Sequence, residues 1–491
     1  MGRPFRITAA MLFTAVIFLT VGELASGTQP EFVAMMAGTI TCIAVTFNLL
    51  GGLRTISGIA FTGFALCTIV ISQFAKVIFF EAADKNLEAP NLTIKVYLVF
   101  YFCLMMGTFV YGRVRVRLIK PMEPESGAQI ELQYAVSLTV GLIASALYAY
   151  YDAQASSGGQ ETEGHSVGVA LSGLLLFSLV LAVISRIRET GGRHSFGIKA
   201  LIPWLAMVMF GLIRTSRGSI LLPNLTYLMT CYTNGYRFRK RHYFVTAGGL
   251  VLFLVFISPL EIYTRMYIVG GDLNSRIASA ISLIRSRPSW EVVRQISSGG
   301  TQTGSREEYY DRPGTFVLSR ISAIRPDSNM ISATSTGFHY GFTALKIDVL
   351  HSIPHFLYKD KPQEDSDWYL GRVTGVNTDS VENAEVVITS ISDSYGAFGW
   401  LGVVVVGGLV FPCCFVLYES VFDFRKPWGV VALGSFAYTF YEINMGGMLQ
   451  ILTRVPLAVV ALSYVVGGLV AMIPVKGDQG MKMSGASASG T

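Results

Sequence analysis

The chain is poor in charge. Asp, Glu, Lys and Arg make up only 14% of its 491 residues, where a soluble domain carries about 25%. It has no Walker loop and no GxGxxG after a strand. Nor does it have a cytoplasmic domain to hold a nucleotide sugar, so chemistry driven by ATP or by nucleotide donors is not expected. Cysteines are few: Cys42, Cys67, Cys103, Cys231, Cys413 and Cys414 all lie in or beside apolar runs. None forms a CxxC pair and none falls in the long polar stretch, which argues against a disulfide scaffold or a metal site. No repeat of fixed period is present.

What is abundant is apolar sequence. Hydrophobic residues are 52% of the chain and mean hydropathy is +0.50. Runs of about 20 apolar residues, the length that spans a hydrocarbon core as a helix, recur along it. We read twelve: 6–26, 31–50, 57–80, 94–112, 131–151, 167–186, 199–215, 218–234, 243–262, 397–418, 427–445 and 450–473. Lipid is then the main solvent, and an all-α polytopic membrane protein is expected. The first run lacks a cleavage site of the signal-peptide kind and is read as a retained helix.

The net charge of +6 sits in short clusters between the runs: Arg3 and Arg6; Arg54; Arg113, Arg115, Arg117 and Lys120; Arg186, Arg188, Arg193 and Lys199; Arg237, Arg239, Lys240 and Arg241; Arg425 and Lys426; Lys476 and Lys482. With alternating helices all fall on one side, so the positive-inside rule puts both termini in the cytoplasm. The clusters set orientation; nucleic acid is not an expected partner. The chain divides into helices 1–9 (1–262), an extracytoplasmic loop (263–396), helices 10–12 (397–475) and a Gly-, Ser- and Ala-rich tail (476–491) expected to be disordered.

A structureless loop as long as 263–396 would be unusual, and such loops are commonly functional. Helical spacing of Ile277, Ala280, Ile281 and Ile284 predicts an amphipathic helix within it. Charge is uneven. Residues 263–325 carry nine Arg against five acids, and 326–395 carry four basic residues against ten acids. The first half suits a phosphate and the second offers carboxylates to a sugar.

Four groups could carry chemistry. Arg214 and Arg217 occupy the turn between two short spans, at membrane depth, where arginine is costly unless it faces a cavity or a partner. Guanidinium donors match phosphate oxygens, although snorkelling or a partner such as Glu261 explains the pair equally well. Among the loop arginines Arg276, Arg285, Arg287, Arg294, Arg312, Arg320 and Arg325, most read as solvated charge; Arg320 stands among Phe316, Val317, Leu318 and Ile321, which would hold it in place. His339, His351 and His355 fall close together, but Pro354 interrupts the pair that would suit a metal. A general base or a sugar contact is the functional reading, and ordinary hydrogen bonding the default for any one of them. Asp379, Glu382, Glu385 and Asp393 precede the tenth span; one could accept a hydroxyl proton, while helix-dipole pairing is the plainer role. Within the spans, Lys76, Glu442 and Arg454 stand out, the last two as a pair across successive helices.

Three stretches resemble the bacterial O-antigen polymerase (Wzy-type) family and its relative, the O-antigen ligase. Thr215-Ser216-Arg217-Gly218 resembles the family's SRG turn. Residues 353–362, Ile-Pro-His-Phe-Leu-Tyr-Lys-Asp-Lys-Pro, resemble the polymerase pattern closing in Asp-Lys-Pro, with His355 in place of the usual arginine and Lys359 in place of a proline. Residues 394–402, Ser-Tyr-Gly-Ala-Phe-Gly-Trp-Leu-Gly, resemble the FGxxG lead-in to the helix after the loop. The likeness runs from about 199 to 403.

The resemblance implies a GT-C-like glycosyltransferase of the inner membrane that uses no metal or other cofactor. It would join oligosaccharides linked to undecaprenyl pyrophosphate, with a chain-length regulator as a partner. Arg217, Arg214 and Arg320 would stabilise the leaving pyrophosphate, His339 or one of the acids Asp379, Glu382, Glu385 and Asp393 would serve as a base, and His355, Lys361, Arg276 and Glu382 would bind substrate. A ligase is the alternative enzyme, disfavoured by the Asp-Lys-Pro stretch. A lipid-linked glycan transporter or flippase would spread polar residues over several spans and show internal repeats, whereas this chain concentrates them in one loop.

Overall fold

A computed structural model describes residues 6–112, 114–156, 163–213, 217–239, 242, 248, 323–353, 358, 362, 366–373, 388–439 and 444–473. Among these the regular structure is helical throughout. Eight helices come first: α1 (Ala9–Ala25), α2 (Pro30–Leu49), α3 (Ile56–Ile78), α4 (Pro90–Tyr111), α5 (Gly127–Ser156), α6 (Glu163–Glu189), α7 (Ile198–Ile213) and α8 (Arg217–Thr233). The polar stretch contributes α9 (Ile324–Thr334), α10 (Thr343–Ser352) and α11 (Ser366–Val373). The chain returns to the bundle as α12 (Ser390–Val421), α13 (Pro427–Thr439) and α14 (Met445–Ala471).

Local chemistry sets many of these ends. Proline opens α2, α4 and α13, where its missing N–H costs no bond. Thr8, Thr55, Thr389 and Asn444 cap the helices that follow them, each side chain accepting a backbone N–H of the first turn. Seven helices are long and apolar enough to cross a membrane: α2, α3, α4, α5, α6, α12 and α14. α1 and α7 are apolar but shorter. α8 and α13, at 17 and 13 residues, occupy two further spans read from sequence. The predicted span 243–262 and the amphipathic helix around 277–284 lie outside the described residues.

Large apolar side chains face outward, among them Phe13, Val21, Phe109, Ile143 and Leu457. Such surfaces point to a lipid bilayer.

α4 lies at the centre, packed on α2, α9 and α12. Its Phe100 meets Phe411 at 5.2 Å between ring centroids, and Phe64 of α3 meets the same ring at 5.1 Å. π-helical turns at 66–70 and 406–410 flank this aromatic knot. The first leaves the Cys67 carbonyl to accept the N–H of Ala323 at 3.1 Å, tying the approach to α9 onto α3. At the second, a Cβ on Gly107 would sit 2.2 Å from the Gly408 carbonyl oxygen, so α4 and α12 approach backbone to backbone. α5 and α6 form a hairpin, joined by α7, α8 and α13.

The helix ends sort into two sets. At one end, Ile7 pairs with Asn48, Ser57 with Glu419, Val116 with Ser420 and Met122 with Ser463. Arg54, Arg115, Arg117, Lys120, Arg188, Arg193, Arg237, Arg239, Arg425 and Lys426 belong to this basic end. At the opposite end, here the loop end, Glu23 accepts the N–H of Ala83 at 2.9 Å and α9 to α11 are docked.

Candidate functional site

At the loop end, polar side chains converge where α9 meets α4 and α12. Asp327, in the first turn of α9, is fully buried. Its Oδ2 accepts the Tyr97 hydroxyl and the Thr389 hydroxyl, each at 2.5 Å. Its Oδ1 accepts the Thr389 N–H at 2.8 Å and the Ser392 hydroxyl at 2.6 Å. Burial pushes this carboxyl above its usual range, and the hydroxyls of Ser392 and Thr389 pull it partly back. The adjacent Ser328 hydroxyl accepts the N–H of Ala89 at 3.1 Å and the hydroxyl of Thr93 at 3.0 Å. Two neighbouring residues of α9 thus pin the polar stretch to the starts of α4 and α12.

A second carboxylate binds the next layer. Asp393, also buried, accepts the Tyr340 hydroxyl and, at 2.5 Å, the N–H of Met445 at the start of α14. Burial and the charge of Asp393 push the Tyr340 phenol well above its usual range. Asp348 of α10 accepts the Ser366 hydroxyl at 2.7 Å and lies against Gly446, where a Cβ would come 1.7 Å from its Oδ2. Two carboxylates therefore meet the positive end of α14. Farther along this end, Lys76 is buried and donates to the carbonyls of Ala83 at 2.9 Å and Lys85 at 2.7 Å, closing the loop between α3 and α4.

The Gly396–Gly402 stretch has a steric basis at each glycine. Gly399 breaks the helix with φ 60 and ψ −144, a backbone open only to glycine. A Cβ on Gly402 would lie 2.0 Å from the Ser394 carbonyl oxygen, and one on Gly396 would lie 2.7 Å from the Tyr340 ring. The break releases two carbonyls. That of Gly396 accepts the Tyr340 N–H at 3.3 Å, and that of Ala397 accepts the Gly341 N–H at 3.0 Å.

His339 is seated on this break. Its Nδ1 is 3.2 Å from the Gly396 carbonyl. A carbonyl only accepts, so Nδ1 is the donor, and Nε2 lies over Gly399. The ring meets Tyr395 edge-on at 6.0 Å, and the side chain is exposed. Exposed Phe338 and Phe342 lie beside it in sequence, and exposed Trp400 stacks edge-on against the same Tyr395 at 5.5 Å. A comparison with models of protein families, with curated proteins and with solved structures finds no match to this chain. The geometry is that of an exposed imidazole anchored by one ring nitrogen to the broken start of α12.

Of the residues singled out in the sequence, His339 is thus placed at the loop end. Arg217 begins α8 at the same end, its side chain outside the described residues. Arg214, Arg320, Arg276, His355, Lys361 and Glu382 also lie outside them. His351 is half-buried on α10. Of the four acids read as preceding the tenth span, only Asp393 is described. It lies inside α12, because that helix begins at Ser390 rather than 397, and its oxygens are turned inward to Tyr340 and Met445. Arg454 is exposed on α14, while Glu442, its expected partner, is not among the described residues.

The sequence reading passed over Asp327, Tyr97, Thr389 and Ser392. One signal was available: Thr389-Ser390-Ile391-Ser392-Asp393-Ser394 packs five polar side chains directly before an apolar run.

Proposed function

We propose that the chain polymerises oligosaccharide repeat units carried on undecaprenyl pyrophosphate, by metal-independent glycosyl transfer of the GT-C type. One observation carries the reading. In the stretch that resembles the polymerase family's FGxxG lead-in, each glycine answers a steric demand, and the kinked backbone seats the His339 imidazole through its Nδ1. In this reading the loop end is extracytoplasmic and the basic end cytoplasmic. The chain crosses the inner membrane about twelve times, the apolar-run count of roughly 20 residues per crossing, with both termini inside. A chain-length regulator is a partner that the resemblance adds.

The chemistry follows from the residues. An acceptor hydroxyl passes its proton to Nε2 of His339 as its oxygen attacks the anomeric carbon of the donor glycan. The bond from that carbon to the pyrophosphate oxygen breaks, and undecaprenyl pyrophosphate leaves with the electron pair. Arg217, with Arg214 and Arg320, balances the negative charge that grows on the leaving group. Arg276 and Lys361 meet phosphate, and His355 and Glu382 meet sugar hydroxyls. The aromatic surface of Phe338, Phe342 and Trp400 offers ring faces to the sugar.

The test is glycan profiling in a deletion strain carrying variants. Wild type restores a ladder of repeat units. Arg217→Ala and His339→Ala should each reduce it to single units while membrane expression persists, the His339 effect being about 10²- to 10⁴-fold on rate. A full ladder with either variant refutes that residue's role. Full-length glycan left on its lipid carrier in the deletion strain would mark a ligase instead.

A further inference from the structure

The basic end holds a feature that glycosyl transfer does not use. A cavity of about 340 Å³ opens there, at the junction of the turn before α3, the segment before α5 and the turn between α12 and α13. Arg54, Lys120, Arg425 and Lys426 line it, together with Glu123, Glu419 and Asp423.

Signs alone leave this set nearly balanced, but the acids are turned to the backbone. Glu419 accepts the N–H of Ser57 at 3.0 Å, capping α3. Glu123 accepts the N–H of Trp428 at 3.4 Å, capping α13. Asp423 accepts the N–H of Arg425 at 3.0 Å and holds the turn. The carboxylates thus build the cavity and answer helix-end dipoles. Lys120, Arg425 and Lys426 are exposed at its rim.

The segment that carries Lys120 adds a second observation. Val114-Arg115-Val116-Arg117-Leu118-Ile119-Lys120 alternates apolar and cationic residues before ending on a pair of apolar ones and a lysine. Val114, Val116, Leu118 and Ile119 are exposed, Ile119 by 70%. Hydrogen bonds from the N–H of Val116 to Ser420 (3.1 Å) and of Met122 to Ser463 (2.9 Å) strap the segment across α12 and α14. Exposed aliphatic side chains interleaved with cations suit the boundary between acyl chains and headgroups.

We propose that this cavity binds the phosphate of an anionic phospholipid headgroup, with Lys120, Arg425 and Lys426 as the gripping cations and the 114–120 segment lying in the headgroup layer. Its volume falls in the range of small-ligand sites. The site is at the opposite end of the bundle from His339, so it is independent of the proposed reaction.

The experiment uses the full chain, purified in neutral detergent and titrated with short-chain phosphatidylglycerol or phosphatidylcholine while intact complexes are weighed by native mass spectrometry. Wild type should hold phosphatidylglycerol in preference to phosphatidylcholine. Lys120→Gln, Arg425→Gln and Lys426→Gln should each weaken retention about five-fold, as for about one cationic contact. Arg188→Gln, Arg193→Gln and Arg239→Gln, exposed at the same end but outside the cavity, should leave it unchanged. Equal retention of the two lipids, or equal loss from both sets of variants, overturns the proposal.

Inorganic phosphate is the arm that separates a lipid source from a soluble one. Displacement of phosphatidylglycerol only at concentrations far above that of the lipid supports the headgroup; phosphate binding at the cavity without any lipid binding overturns it. Should a variant be poorly folded, thermal unfolding of wild type decides: a larger rise in Tm with phosphatidylglycerol than with phosphatidylcholine supports the site, and equal rises count against it.

Discussion

The two ends of the bundle use carboxylates in opposite ways. At the loop end, Asp327 and Asp393 are buried and surrounded by hydroxyls and N–H groups that come from helices far apart in sequence. At the basic end, Glu123, Glu419 and Asp423 each accept a backbone N–H, the first two from helix starts 305 and 362 residues away, and share their cavity with cations. The first arrangement fixes tertiary structure, because each acid gathers several donors from separate elements. The second finishes helices within a cavity whose cationic side chains outnumber its acids. An acidic residue is thus part of the architecture at one end and part of the electrostatic setting at the other.

Substitutions sharpen this contrast. The largest effect is expected from Asp327→Ala, which strands the hydroxyls of Tyr97 and Thr389 and the N–H of Thr389 and leaves Ser392 only its bond to the Thr389 carbonyl. With each buried orphan costing about 1–3 kcal/mol, the folded yield in detergent should collapse, while Asp327→Asn should retain much of it. Equal Tm values for wild type and the alanine variant would remove the anchoring role.

Gly399→Ala comes next. Its positive φ alone makes a side chain costly by about 1–3 kcal/mol, and the new methyl would lie only 3.0 Å from His339 Nε2, so the imidazole must shift. A lowered Tm, with any glycan-extending activity lost more steeply than stability, is the expected outcome.

The smallest effect belongs to the basic end and depends on pH. Burial pushes the Glu123 carboxyl up from 4.5 to about 7, against the N–H of Trp428 and the charge of Lys426, with Asp423 adding to the rise. A folded-state value above the unfolded one means that the protonated form is favoured by folding. Its stabilisation is fully present below about pH 4.5 and is lost as pH rises through about 7. Glu123→Gln should therefore flatten Tm across that window. Lipid anion binding should also strengthen as pH falls through about 7, since Glu123 loses its negative charge in a cavity it shares with Glu419 and Asp423. Identical pH profiles for wild type and Glu123→Gln would sever the link.

Much of the helical plan was legible because lipid imposes a length and an apolarity that each segment carries by itself. Runs such as 31–50 and 450–473 need no partner to be seen, and both are helices. Caps were legible too in principle, since Thr55 and Asn444 act within their own turn. The partners of Asp327 were not, because Tyr97 is 230 residues away and reads as one more aromatic in a span. The start of α12 was misplaced for a related reason. Ser390 to Ser394 are too polar to read as a buried helix, and they become one only when Asp327 and Asn444 supply partners. His339 was legible as a candidate, whereas the backbone that anchors its ring lies 57 residues farther on.

The broken lead-in of α12 divides that helix into two mechanical parts. With the carbonyls of Gly396 and Ala397 committed to residues 340 and 341, its first turns travel with the outer layer. Beyond Gly399, the rest is fastened to α4 through the close approach at Gly107 and Gly408. The imidazole therefore sits at the joint, bonded to a carbonyl of the first part and lying over the glycine where the second begins.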